Sequence, residues 1–311
     1  MHLFTNIIGA FVFDDKFSVI DKILFNDIGE YNNKEKFIEK LKNKHHNLKE
    51  PDENSEKKIL AYFKNPEFFS SFYNKNIELT KIGLKNSVTS DSLLIKSINS
   101  IDEINKAINL LAKVLREWYQ LHNPEFSMAT HEHEKFVEEI LNNEKSELLQ
   151  RLNIDPKDSI GADLSQENLE PIRSLAHQLY GLIKLREAQV EYSSLLMDEL
   201  CPNLKAVCGI IVGAKLIEHA GSLKRLSEMP ASTIQILGAE TALFRHMKTG
   251  SKMPKHGIII GHSLIAKAPF KMHGRIARAL ADKISIASRV DYFKGQFIGN
   301  KLKGELEKKF G

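Results

Sequence analysis

Hydrophobic and polar positions alternate at the start of the chain. Ile8, Ala10 and Val12 fall on one side of an extended backbone, and Phe11 and Phe13 on the other. Asp14-Asp15-Lys16 is turn chemistry, and Val19, Ile20, Ile23, Leu24 and Phe25 resume the pattern, which predicts a β-hairpin. Lys/Glu-rich residues 34–48 predict a helix. Phe68, Phe69, Phe72 and Tyr73 predict an aromatic cluster on the sheet, and 77–84 a further strand weakened by Gly83. From Ile101 the period changes. Ile104, Ala107, Ile108, Leu111 and Leu115 recur about every 3.6 residues. Trp118 and Tyr119 close that helix, and Asn123-Pro124 stops it. Thr130 has the chemistry to cap a helix running to about Leu141. A longer stripe follows: Ile172, Leu175, Ala176, Leu179, Leu182, Ile183, Val190 and Met197. Arg186 and Ser193 interrupt it, so it is no strict zipper. It predicts an antiparallel helical hairpin whose arms cover each other.

Ala206 to Leu216 is apolar almost all round, as in a buried helix. Ser232 with Gln235 has capping-box spacing and opens a helix carrying Leu237, Leu243 and Phe244, which Gly250 ends. Pro269 opens the last strong helix, with Ile276, Leu280, Ile284 and Ala287 as its core stripe and Lys271, Arg275 and Arg278 on another face. The expected fold is mainly α: an α+β N-terminal domain (1–100), an all-α central helical hairpin of coiled-coil type (101–203) and an all-α third domain (204–311).

Composition adds limits. With 42% hydrophobic and 27% charged residues the chain is globular, not disordered. No run of 18 apolar residues exists, so no spanning helix and no membrane partner are expected. Met1 to Phe4 do not open a signal peptide, and two cysteines, Cys201 and Cys208, fit a reducing cytosol better than a disulfide scaffold. Their expected role is packing. Charge is uneven: residues 121–222 carry 9 Lys+Arg against 17 Asp+Glu, while residues 223–311 carry 17 against 6, net +11. Such a segment attracts a polyanion by long-range field and counterion release. Catalytic and metal signatures are weak. His131-Glu132-His133-Glu134 places its histidines two apart, which point in different directions on a helix. Gly257 to Ser263 lacks the spacing and lysine of a phosphate loop, and no G-x-G-x-x-G or local Ser/His/Asp signature occurs.

Specific motifs lie in the last third. Ala231–Phe244 (ASTIQILGAETALF) runs on through Arg245, His246, Met247 and Lys248 to Pro254-Lys255-His256-Gly257, Gly261-His262-Ser263, Lys267-Ala268-Pro269 and Ser285–Asp291 (SIASRVD). Upstream stand Arg116–Phe126 (REWYQLHNPEF) and the stretch GAKLIEHAGSL ending at Leu223. Together these resemble the Nop domain of box C/D ribonucleoprotein scaffolds, and nearly the whole chain is similar to the archaeal member of that family.

The resemblance implies a division of labour. The N-terminal domain would bind the methyltransferase fibrillarin, and the hairpin would pair two copies through Leu175, Leu179, Leu182, Ile183 and Val190. The Nop domain would grip a composite surface of kink-turn box C/D guide RNA and a ribosomal-type protein bound to it. The chain itself would be no enzyme and hold no cofactor, S-adenosylmethionine being held by fibrillarin. Its expected place is the cytoplasm of an archaeal cell. Gln235, Gly238, Ala239 and Glu240 match the motif at the composite surface. Arg245, Lys248, Lys255 and His256 follow it, and His262 matches a histidine near the kinked RNA. Lys267, Lys271, Arg275 and Arg278 would be phosphate contacts that position rather than specify. Trp118 and Tyr119 are expected to anchor the hairpin to the Nop domain. The sequence departs from the family at Thr241 (usually Lys), Gly261 (usually aromatic) and Phe270 (usually Pro). The alternatives are a splicing-type Nop protein without fibrillarin, or a chain that itself modifies RNA.

Overall fold

The structure is a computed structural model that describes residues 1–310. It divides into two compact units, Met1–Thr89 and Ser90 onward.

The first unit is built on an antiparallel sheet in the order β1 (His2–Thr5), β2 (Gly9–Phe13), β3 (Val19–Leu24). The hairpin expected from the alternation is β2–β3, and β1 adds an edge that the sequence reading did not contain. Strand β2 is buried on both faces. Phe11 and Phe13 pack with Ile59, Phe63 and Phe68, while Ala10 and Val12 pack with Leu3, Phe25 and Leu41. Helices α1 (Ile28–Asn32), α2 (Lys34–Lys44), α3 (Glu53–Tyr62) and α4 (Pro66–Asn86) complete the unit. Residues 77–84, expected as a strand, lie inside α4. Pro66 at its first turn starts that helix, and Phe68 anchors it in the core, so continuity with the helix overrides local strand propensity. Of the expected aromatic cluster, only Phe68 is buried; Phe69, Phe72 and Tyr73 are exposed.

The second unit begins with α5 (Ser90–Tyr119), α6 (Pro124–Ala129), α7 (His133–Asn142), α8 (Lys145–Arg151) and α9 (Gln166–Leu200). Helices α5 and α9 form the expected antiparallel pair. The Ser97 and Ser193 hydroxyls meet at 2.8 Å near one end. At the other, Leu115 and Tyr119 share a core with Ile172, Ala176 and Phe136. The REWY motif serves this distal core. Arg116 lies 4.1 Å over the Phe136 ring, and donates to the carbonyls of Ser127 (3.1 Å) and Thr130 and to Nδ1 of His133 (3.2 Å). Tyr119 is buried against Phe126 and Phe136, while Trp118 is 40% exposed. Neither residue anchors the hairpin to the basic end, because both sit far along α5 from that junction. Thr130 closes α6 and does not cap α7, whose N-cap is Glu132.

Eight helices follow: α10 (Pro202–Cys208), α11 (Ile210–Ala220), α12 (Leu223–Glu228), α13 (Ala231–Ile236), α14 (Glu240–Thr249), α15 (Ser263–Ala266), α16 (His273–Tyr292) and α17 (Gly299–Phe310). Three expectations change. The apolar helix at 206–216 is two helices, broken at Gly209, whose φ of 77° is a left-handed value. The Ser232–Gln235 capping box does not form: Pro230 is the N-cap, and Gln235 turns elsewhere. Helix α16 starts at His273, after a turn containing Pro269, and α17 follows it. The stripe Ile276, Leu280, Ile284 and Ala287 is buried as expected.

The expected boundary at 100 falls within α5, and that at 203 within α10. One core runs from Leu94 and Ile98 through Met197 and Leu204 to Ile276, Leu280 and Leu306, so the base of the hairpin and the basic end form a single packed body. Asp291 locks it. Its carboxylate accepts from Asn203 N (3.1 Å), Asn203 Nδ2 (2.7 Å) and Leu204 N (2.8 Å), which are free donors in the first turn of α10. Asn203 Oδ1 in turn accepts from Ile298 N at 2.6 Å, tying in the approach to α17. Burial pushes the Asp291 carboxyl above its usual range, against these hydrogen bonds. Both cysteines are buried in this body, and burial raises their thiols, which makes them inert packing groups.

Candidate nucleic-acid interface

The stretch around Gly238 builds an arm. Gly257 N donates to Gln235 O (2.9 Å), Ile258 N to Leu237 O (2.8 Å), and Gln235 Nε2 to Lys255 O (2.7 Å). These bonds close the base of a loop whose outer part is α14. At that base Gly238 adopts a φ of 83°, and a Cβ there would sit 2.5 Å from Ile258 Cγ1. The glycine therefore serves an internal close approach as well as any external one. Glu240 Oε1 accepts from Gly238 N at 2.7 Å, so this carboxylate steadies the entry to α14. Ala239 is the N-cap residue. Helix α14 buries no residue at all. Phe244 (58%), Met247 (71%) and Met253 (56%) stand exposed beside Arg245, Lys248 and Lys252. A helix of this length has no stability of its own in water, and its uncovered apolar side chains mark a contact surface.

A second basic surface lies at the start of α16. The Lys255 ammonium is 3.9 Å from the Phe270 ring centre, and the His256 and His273 rings are 5.5 Å apart. Lys271, Arg275 and Arg278 are exposed, with the N-terminal pole of α16 among them. Burial, foremost, lowers the His256 pKa, with the neighbouring His273 and Lys255 acting in the same direction. The only ion pairs among the described residues after 222 are Lys283–Glu305 and Lys303–Glu307. Arg245, Lys248, Lys255, Lys267, Lys271, Arg275 and Arg278 therefore carry charge without a carboxylate partner. Cations arranged in this way fit a phosphate backbone.

His262 differs from these. Its Nδ1 accepts from Leu264 N (3.2 Å), so Nε2 carries the proton that points at Val207 O (3.2 Å). Both nitrogens tie α15 to α10 and neither is free for a base edge; burial lowers its pKa further. The chain pattern that places His262 near kinked RNA does not show which imidazoles are already satisfied.

The residues expected to pair two copies are used within one chain. Leu179 and Ile183 are fully buried against α5; Leu175 and Leu182 lean on the same core, and Val190 on the larger one. Exposed apolar side chains stand on both arms: Leu110 (66%), Val114 (43%) and Trp118 (40%) follow one another at helical spacing on α5, with Leu121 just past its end, and Leu185, Tyr192 and Leu195 lie on α9. That spacing was present in the sequence but was masked by the stronger stripe one face away. No group of three metal-ligating side chains occurs among the described residues, and no helix there is long and apolar enough to cross a membrane.

A family model described as Nop, "snoRNA binding domain, fibrillarin", matches residues 100–311. This chain belongs to the Nop family. A NOP5 family protein of Methanocaldococcus jannaschii is 38% identical over 268 residues, covering 81% of this chain and 64% of its own length. Nucleolar protein 56 is 39% identical over 246 residues in Caenorhabditis elegans and 37% over 240 in Homo sapiens, each match covering 70% of this chain. The matched part spans 50% and 40% of those two relatives. A chain of a solved fibrillarin/Nop5p complex aligns with this one at 21% identity, with 99% of this chain and 98% of that one covered and a TM-score of 0.46. The Nop match begins within α5, so it takes in most of the hairpin together with the basic end, in line with their shared core.

Proposed function

We propose that this chain is a non-catalytic scaffold of a box C/D ribonucleoprotein. Its basic end binds kink-turn guide RNA together with a ribosomal-type protein already on that RNA. Its N-terminal unit holds the methyltransferase fibrillarin, which carries S-adenosylmethionine and methylates ribose 2′-hydroxyls of target RNA. The observation that supports this best is the α14 arm, with exposed Phe244 and Met247 interleaved with Arg245 and Lys248. Apolar side chains meet a protein, and adjacent cations meet phosphate, so the occupant has both surfaces.

Titration at fixed salt tests the composite nature of the site. Affinity for kink-turn RNA is expected to rise sharply once the ribosomal-type protein is bound; equal affinity with and without it contradicts the proposal. A second assay separates scaffold from enzyme. The chain with labelled S-adenosylmethionine and guide–target RNA is expected to transfer no methyl group until fibrillarin is added.

The exposed stripe Leu110, Val114, Trp118 and Leu121 is the proposed face for a second copy of the chain. Leu110→Asp with Val114→Asp is expected to give monomers in light scattering without loss of thermal stability. Retained dimers would place the pairing elsewhere.

A further inference from the structure

The turn between α16 and α17 has features that neither the fold nor the composite surface uses. Phe293 is 76% exposed and Phe297 54% exposed, on a segment that also holds Lys294 in a left-handed conformation (φ 56°). A lysine in that region of backbone space is uncommon and strained. Phe297 lines a cavity of about 530 Å³ whose wall also includes Lys205, His262, Ser263, Lys303 and Glu307. The cavity lies on the face formed by α10, α15 and α17, and none of the residues whose bonds close the α14 arm lines it.

We infer that this cavity receives one unpaired nucleotide of single-stranded RNA, with its base on the Phe297 ring and its phosphate toward Lys303. The inference rests on the RNA-binding reading above and extends it to a second, sequence-tolerant contact. The volume lies in the range of small-molecule sites and accommodates a nucleotide. An exposed aromatic ring beside cations is the arrangement that holds unpaired bases, because every base has a π-face and every linkage a charge. Lys205 is already engaged by Asp198 at 2.6 Å and by Ser194, so it shapes the wall. Lys303 is only loosely paired, 3.9 Å from Glu307, and remains able to turn to a phosphate. The His262 ring, with both nitrogens satisfied inside the chain, forms part of the wall without competing for the base.

The test uses the full chain and a ten-nucleotide oligoadenylate carrying one 2-aminopurine, read by fluorescence. Binding is expected, with a change in 2-aminopurine emission. Phe297→Ala is expected to weaken it about tenfold and abolish the emission change. Lys303→Ala is expected to lower the salt slope by about 0.7, the value for one phosphate of a single strand. Unchanged thermal melting of both variants excludes unfolding as the cause, as their exposure implies. Wild-type affinity in Phe297→Ala overturns the inference. So does a variant that keeps oligoadenylate binding but loses fibrillarin or the ribosomal-type protein, since the turn is then a protein-binding face. The composite surface is scored separately, by assembly on kink-turn RNA. Loss of that assembly in Arg245→Ala with Lys248→Ala, while oligoadenylate binding persists, shows two independent sites.

Discussion

Helices α14 and α16 both carry the basic residues of the C-terminal end, and they are held in opposite ways. Helix α16 buries nine residues, among them Ile276, Leu280, Ile284 and Asp291, whereas α14 buries none. Arg275 and Arg278 thus ride on the back of a core element and have a fixed place before any partner arrives. Arg245 and Lys248 ride on an arm held by a few bonds at its base. A fixed cation costs little entropy to engage and sets position. A cation on a weakly held arm gains its order from the partner, which makes the contact conditional on what that partner is. Preformed and conditional contacts side by side suit the composite site proposed above.

The largest expected effect strikes the α16 side. Asp291→Ala leaves three donors at the start of α10 without an acceptor and should cost about 3 to 5 kcal/mol in chemical denaturation. A cost below about 1 kcal/mol would mean that the core, without this carboxylate, fixes α16. Next comes the arm. Gly238→Ala forces a side chain into a left-handed backbone against Ile258 and should cost about 1 to 2 kcal/mol. The loss should appear in amide exchange at the base of the arm and leave the global melting transition nearly in place; a lowered global transition would merge the two regions into one cooperative unit.

Removing cations should affect binding alone. Arg275→Ala with Arg278→Ala, and separately Arg245→Ala with Lys248→Ala, are each expected to lower the salt slope of assembly by roughly 1 to 2. Only the second pair should lose its effect when the ribosomal-type protein is left out. Equal behaviour of the two pairs would erase the distinction between them. The smallest effect lies in the N-terminal unit, which serves as a control. Hydrogen bonds from Lys44 and His45 lower the Asp21 pKa from 3.8 to about 2. Its stabilising contribution is therefore complete above the unfolded value and disappears as pH falls through about 2. Asp21→Asn should flatten the acid limb of the first unit's stability curve and leave RNA assembly unchanged.

Much of the fold was legible along the chain. The alternation at Ala10–Phe13 gave β2 and its two faces. The 3.6-residue stripes gave α5, α9 and the core side of α16, because a side chain buried by one helix must recur at the helix period. What was missed has a common cause. The strand expected at 77–84 was judged on local propensity, although the helix started by Pro66 runs through it. Gly209 and Gly238 break their helices through positive φ, a requirement that appears only when the chain must turn back on a packed neighbour. The role of Asp291 depended on Asn203, 88 positions away.

The candidate site divides in the same way. Arg245, Lys248, Lys271, Arg275 and Arg278, expected as contacts, are exposed, since charge density and helical spacing are properties of neighbouring residues. His262, Leu179 and Ile183 were not available as expected, because each is satisfied by a segment distant in sequence. The amino-acid sequence by itself determined the periodic elements, the concentration of positive charge after residue 222 and the family motif, for these follow from local spacing and composition. Only the tertiary structure decided which of two apolar stripes on the hairpin stays uncovered, which histidine is already bonded, and that α14 stands free while α16 is clamped. Burial and hydrogen-bond satisfaction are fixed by long-range packing, which no stretch of sequence contains on its own.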